Sequence, residues 1–139
     1  PRPEPTRDPV LHYEPSTHPG SPIPHAWLAV GDQDVSTLDV CAYDRFTLIT
    51  GAGGQRWLDA AAKVSAELGV EVAGVQVSLG LETNDIYGDW IRLRGVDDRG
   101  CVLVRPDRIV AWRSPDAVEN PNEALRTVMS GILGSGVRA

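Results

Sequence analysis

Phe46-Thr47-Leu48-Ile49-Thr50, followed by Gly51-Ala52-Gly53-Gly54, decides how this chain folds. The first five residues carry no charge and are rich in β-branched and aromatic types, the composition of a buried strand. The glycine run ends that strand. From Gln55 to Leu68 the residues Trp57, Leu58, Ala61, Val64 and Leu68 recur at helical spacing, and Gly69 supplies the stop. Residues 70–77 then read as a second buried strand. Strand, helix, strand in this order is a βαβ unit, so the two strands are expected to be parallel.

Downstream, Leu79 to Asp89 reads as a polar loop, and Trp90-Ile91-Arg92-Leu93 fits either a short helix or a strand. Cys101-Val102-Leu103-Val104-Arg105 and Ile109-Val110-Ala111-Trp112-Arg113 flank Pro106-Asp107-Arg108, which predicts a β-hairpin. The last element is marked at its start by Asn120 as N-cap, Pro121 at the first helical position and Glu123 as capping-box partner. Leu125, Val128, Met129, Ile132 and Leu133 form one apolar face, and Gly134 ends the helix. The order β-α-β, then β-β-α, predicts an α/β thioredoxin-like fold around a central mixed sheet. Upstream, Ala26-Trp27-Leu28-Ala29-Val30 is a strand, Gly31-Asp32 begins a turn, and residues 35–40 are its hairpin partner.

Residues 1–24 hold eight of the eleven prolines and read as an extended, Pro-rich N-terminal tether. Val10, Leu11 and Tyr13 are its expected anchors, with Trp27 as the receiving side chain. The domain proper is expected over 25–134, with a tail at 135–139. The chain opens on Pro1 and its single Met is Met129, which suggests a fragment or processed chain. Its 139 residues suit one domain, and 42% hydrophobic content suits one core. The net charge is −6, and every cation but Lys63 is Arg. An acidic chain without a basic run argues against nucleic acid and anionic membrane as partners. No apolar stretch approaches the ~20 residues of a membrane helix. The expected location is cytoplasmic.

A redox enzyme on this scaffold places a Cys at the N-terminus of the first core helix, where the helix end lowers the thiol pKa. Here that place holds Gly51-Ala52-Gly53-Gly54. The loop before the next strand, Asp98-Arg99-Gly100-Cys101, lacks the proline that thiol enzymes of this fold carry in cis. Cys41 and Cys101 read as reduced, partly buried thiols, with a disulfide between them as the minority reading. The glycine loop fails as a dinucleotide fingerprint because Arg56 stands at the third glycine position. It reads as a tight turn, with weak anion binding at the helix N-terminus as the alternative. His12, His18 and His25 lie in or beside the tether and read as surface or capping residues, not metal ligands. Asp97-Asp98 and the Asp32/Asp34 pair read as turn carboxylates that satisfy backbone amides. Trp27, Trp57, Trp90 and Trp112 read as core or interface anchors. Arg105 and Arg113 either pair with carboxylates of a neighbouring domain or cap a solvated face. No residue is assigned a catalytic, cofactor-binding or metal-binding role.

Three segments in order resemble the C-terminal portion of flavin-dependent aromatic hydroxylases of the phenol 2-monooxygenase and 2,4-dichlorophenol 6-monooxygenase type, polyketide hydroxylases included. They are Tyr13-Glu14-Pro15-Ser16-Thr17-His18-Pro19-Gly20 running into Pro24-His25-Ala26-Trp27-Leu28; Phe46-Thr47-Leu48-Ile49-Thr50-Gly51 with Trp57 and Ala60-Ala61; and Leu103-Val104-Arg105-Pro106-Asp107 with Val110-Ala111-Trp112-Arg113. The resemblance implies a parent enzyme that binds FAD, takes hydride from NADPH and hydroxylates a phenol, with those sites in upstream domains. For these 139 residues it implies an appended, redox-inactive domain with a structural, interdomain or dimerisation role, the last as a homodimer. In that family Gly follows Pro-Asp in the hairpin turn; this chain has Arg108, so Arg108 is expected in a conformation that suits Gly. The rivals are a stand-alone thiol-redox enzyme using Cys101 or Cys41, and a small-ligand binding module using the glycine loop.

Overall fold

The computed structural model describes residues 17–41, 43–78, 83–85 and 88–134. At its centre is the predicted βαβ unit. Strand β3 (Phe46–Thr50) is buried along its whole length, helix α2 (Gln55–Leu68) follows, and β4 (Val72–Ser78) returns parallel to β3. Gly69 closes α2 in the left-handed conformation at φ 68°, which glycine adopts without a Cβ penalty. The predicted hairpin is β6 (Cys101–Val104) and β7 (Val110–Ser114), with β6 antiparallel to β3. Helix α4 (Pro121–Gly134) starts where its cap predicts, and Asn120 Oδ1 accepts from Glu123 N at 3.2 Å. The thioredoxin-like order is therefore present.

Around that core are β1 (Trp27–Val30), β2 (Gln33–Ser36), α1 (Thr37–Val40), β5 (Thr83–Asn84) and α3 (Asp89–Leu93). The seven strands form one mixed sheet in the order β2-β1-β5-β4-β3-β6-β7. Two sequence expectations change here, and one reading left open is settled. The hairpin partner of β1 starts at Gln33 and stops at Ser36, because Ser36 and Asp39 form a capping box that turns the chain into α1. The stretch read as a polar loop contains β5, which joins the β1–β2 hairpin to the main sheet. Trp90–Leu93 is helical, because the buried Asp85 carboxylate accepts from the Trp90 and Ile91 amides and starts α3.

Alternation along β3 and β6 divides the interior into two cores. Phe46, Leu48, Cys101 and Leu103 face α2 and α4, packing with Trp57, Val64, Leu125 and Met129. Ile49, Val102 and Val104 face the other way, against Ile23, Leu28, Cys41 and Trp90. The last part of the Pro-rich stretch lies along β7: Gly20 N donates to Val110 O, Val110 N to Ser21 O, and Ile23 N to Arg108 O. Pro22 bridges Ile109 in the same antiparallel sense. Thr17, Ile23 and Pro24 of this stretch are buried. The expected anchors Val10, Leu11 and Tyr13, and the tail 135–139, lie outside the described residues.

Candidate functional site

A helix N-terminus presents amides without intrahelical partners and the positive end of the helix dipole. At the start of α2 the cap position is Gly54, which has no side chain to satisfy them. The amides of the loop that precedes the cap are satisfied from elsewhere in the chain. Asp98 Oδ1 accepts from Ala52 N and its Oδ2 from Gly53 N, both at 3.0 Å. Arg94 Nη1 stands 3.5 Å from the same Oδ1. The residues beside Asp98 are held too. Trp57 Nε1 donates to Arg99 O at 2.9 Å, and Thr50 Oγ1 to Gly100 O at 2.5 Å. Residues 98–100 therefore form a strap across the glycine loop.

The glycines are present because the strap leaves no room. A Cβ on Gly51 would stand 2.6 Å from the Asp98 backbone oxygen, and one on Gly53 would stand 2.6 Å from the Arg99 side chain. Among Asp97 and Asp98, the first behaves as the sequence predicts, accepting from Arg99 N within its own turn. The second reaches across to a different loop. Sequence reading missed that pairing, although an uncapped helix start and an acid just before β6 were both visible. Arg56, which breaks the dinucleotide pattern, donates to Glu119 O at 2.7 Å and ties α2 to the approach of α4.

The two thiols are free and lie in the two separate cores. Burial pushes both up from 9.0 to about 12. For Cys41 the Arg108 charge opposes that rise, and for Cys101 a backbone hydrogen bond at Ser114 does so. Cys101 pairs with Thr50 across the sheet, close to the strap in sequence, but its side chain belongs to the core under α2. A protonated thiol is a poor nucleophile.

The remaining candidates are held in structural contacts. Trp57 and Trp90 are buried, and Trp57 meets Trp112 edge-on at 5.8 Å. Trp27 is 46% exposed and packs against the His25 ring at 5.0 Å. Arg105 pairs with Asp107 inside the hairpin turn. Arg113 Nη1 donates to Thr17 Oγ1 at 2.9 Å and faces His18. Thr17 in turn donates to Arg94 O, which links the Pro-rich segment to the residue beside Asp98. His12 lies outside the described residues, and Asp32 and Asp34 are exposed on the β1–β2 hairpin. Among the described residues no group of three side chains is placed to hold a metal, and no helix is long and apolar enough to cross a membrane.

Arg108 has φ 68°, the conformation expected for a Gly-preferring turn position. Its side chain has a use that the sequence did not reveal. Nε donates to Cys41 O at 2.9 Å, Nη1 to Tyr43 Oη at 3.1 Å, and the guanidinium lies 4.0 Å from the Tyr43 ring centroid.

Residues 16–136 match the family described as aromatic-ring hydroxylase, C-terminal. The phenol 2-monooxygenase of Pseudomonas sp. (strain EST1001) is 45% identical over 130 residues, covering 94% of this chain and 21% of that protein. The chain thus spans about a fifth of the length of the curated relatives it matches. The flavin-dependent monooxygenase PieE, solved with FAD and substrate, superposes with TM-score 0.83 at 46% identity, over 96% of this chain and 23% of that one. A reduced 2-Cys peroxiredoxin of Plasmodium vivax shares the fold alone, with TM-score 0.61 at 16% identity over 84% of this chain and 97% of that one.

Proposed function

The chain belongs to the aromatic-ring hydroxylase C-terminal family, and from that premise we propose that it is the redox-silent C-terminal domain of an FAD-dependent, NADPH-using monooxygenase of phenols. In this reading residues 1–24 lead in from upstream FAD and substrate domains, and residues 25–134 are the appended body. Its role is structural: it braces those domains or pairs two parent chains. The observation that carries the silent reading is the Asp98 carboxylate on the Ala52 and Gly53 amides. It occupies the place where a thiol enzyme of this fold needs a nucleophile. Two buried thiols pushed up to about 12 support the same reading.

The test uses the 139-residue chain itself. It is expected to leave insulin disulfides intact in dithiothreitol at any rate above the reductant alone. It is also expected to give no flavin absorbance after dialysis from excess FAD. Insulin reduction abolished by Cys101→Ser or Cys41→Ser would replace the silent reading with a thiol enzyme. Stoichiometric retained flavin would overturn the assignment of the FAD site to upstream domains.

A further inference from the structure

We propose that the face of β2, β1 and β5 turned away from α1 and α3, with Trp27 at its end, is the seat of the upstream part of the same polypeptide. The proposal deepens the reading of this domain as a brace for upstream domains and rests on it. Leu28 and Val35 are register partners and point into the core that α1 and α3 cover. Strand alternation turns their neighbours Trp27, Ala29 and Asp34 to the opposite face. The register carries that face onward, from Ala29 to its partner Asn84 and from Asn84 to Ser78. On this side α2 packs on β3 and β4, and α4 packs on α2. The helices that pack on β1 and β2 are α3 and α1, on the other side. The row is accordingly open to solvent: Trp27 is 46% exposed, Asp34 is exposed, and Ala29, Asn84 and Ser78 are half-buried.

The length of chain outside this body and the point where it arrives choose the occupant. The chain spans about a fifth of the length of its curated relatives and matches a C-terminal family, so the bulk of such a parent lies upstream. Thr17 is anchored on Arg94 O, at the end of α3. Helix α3 has five residues, about 7.5 Å of rise, and packs on β1. The upstream body is therefore delivered beside β1. Charge disfavours a second copy. The chain carries −6, and a twofold contact would set this row, with Asp34 in it, against its own image. The surface that fits brings an apolar side chain to Trp27 and an Arg or Lys to Asp34, an aromatic anchor beside a polar rim.

The experiment is hydroxyl-radical footprinting of the full parent chain beside the 139-residue chain, at a radical dose matched by an added dosimeter. Trp27 is expected to oxidise about tenfold more slowly in the parent than in the isolated chain. Asp34→Arg in the parent is expected to restore most of that oxidation, and Thr127→Arg, on the exposed side of α4, to leave it unchanged. Asp34→Asn removes the charge without reversing it, so it serves, with partial restoration expected, if the parent with Asp34→Arg fails to fold. Equal oxidation of Trp27 in the two chains, or protection indifferent to both Asp34 variants, would overturn the proposal. Protection that grows with the concentration of the isolated chain would overturn it in favour of a second copy. Oxidation of the isolated chain that rises when residues 1–16 are removed would overturn it in favour of the chain's own lead-in. A parent that binds no FAD would sink the reading of its activity and leave the protection at Trp27 standing, so the two can fail separately.

Discussion

The two ends of the β3–β6 pair solve one problem in opposite ways. At the end where β3 runs into α2, Gly51, Gly53 and Gly54 stand where any Cβ would strike Asp98, Arg99 or Thr50. At the other end, where β6 turns into β7, Arg108 stands in a left-handed conformation that suits glycine. Backbone angle alone would have put the glycine in the turn. Space decides the first case, since a strap lies on the loop. In the second, the arginine's bonds to Cys41 O and Tyr43 outweigh about 1 kcal/mol of backbone strain.

The largest test of this contrast is in alkali, because each end contains one thiol. Both folded thiols are pushed up to about 12 from 9.0. Above 9.0 the unfolded chain loses its thiol protons while the folded chain keeps them, so stability is fully present below that value. It is expected to fall as pH rises from 9 towards 12. Urea midpoints between pH 7 and 11 read this loss. A flat profile would mean that the thiols are not held inside the cores.

Gly51→Ala comes next. Its Cβ meets a backbone oxygen, which cannot rotate away, so the expected cost is about 3 kcal/mol in urea unfolding. A cost below about 0.5 kcal/mol, in the range of neutral surface changes, would show the strap to be loose and the contrast void.

Arg108 separates strain from contact. Arg108→Ala keeps the positive φ and loses the side-chain bonds, for an expected cost of about 2 kcal/mol. Arg108→Gly loses the same bonds but relieves the strain, so about 1 kcal/mol is expected. Family pattern alone would predict that Arg108→Gly stabilises the domain, and the thermal midpoints of the two variants decide the order.

The smallest effect is a control on the first end. Gly131 lies inside α4 with nothing within 4 Å of a Cβ position. Gly131→Ala is expected to raise stability by about 0.5–1 kcal/mol, the ordinary helix propensity gain. A loss would mean that a neighbour needs that space.

Where the sequence was read correctly, the signal lay within one turn or one strand of the residue concerned. The β3–α2–β4 unit followed from an uncharged run, a helical repeat and Gly69, all local. The cap of α4 was legible because Asn120 and Glu123 are three positions apart. The misreadings had a different origin. Residues 35–40 show enough apolar alternation to suggest a strand, and only the Ser36–Asp39 side-chain exchange redirects the chain into α1. Strand β5 is two residues long, too short for any period to register. Thr17 and Ile23 carry no sequence mark of burial among so many prolines.

By itself, then, the sequence determined the element order, the parallel pairing of β3 with β4, the hairpin and the place of the glycine loop, since each follows from propensity and periodicity over a few residues. It also showed that no thiol stands at the start of α2. Only the tertiary structure decided what stands there instead. Asp98 meets Ala52 across 46 positions, and Arg108 meets Cys41 across 67. Such pairs leave no periodic trace, because their partners become neighbours only once the sheet has formed. The physical reason is that an uncapped amide or a strained turn is satisfied by whatever acceptor or donor the fold brings within 3 Å, and the chain between them does not record which one that is.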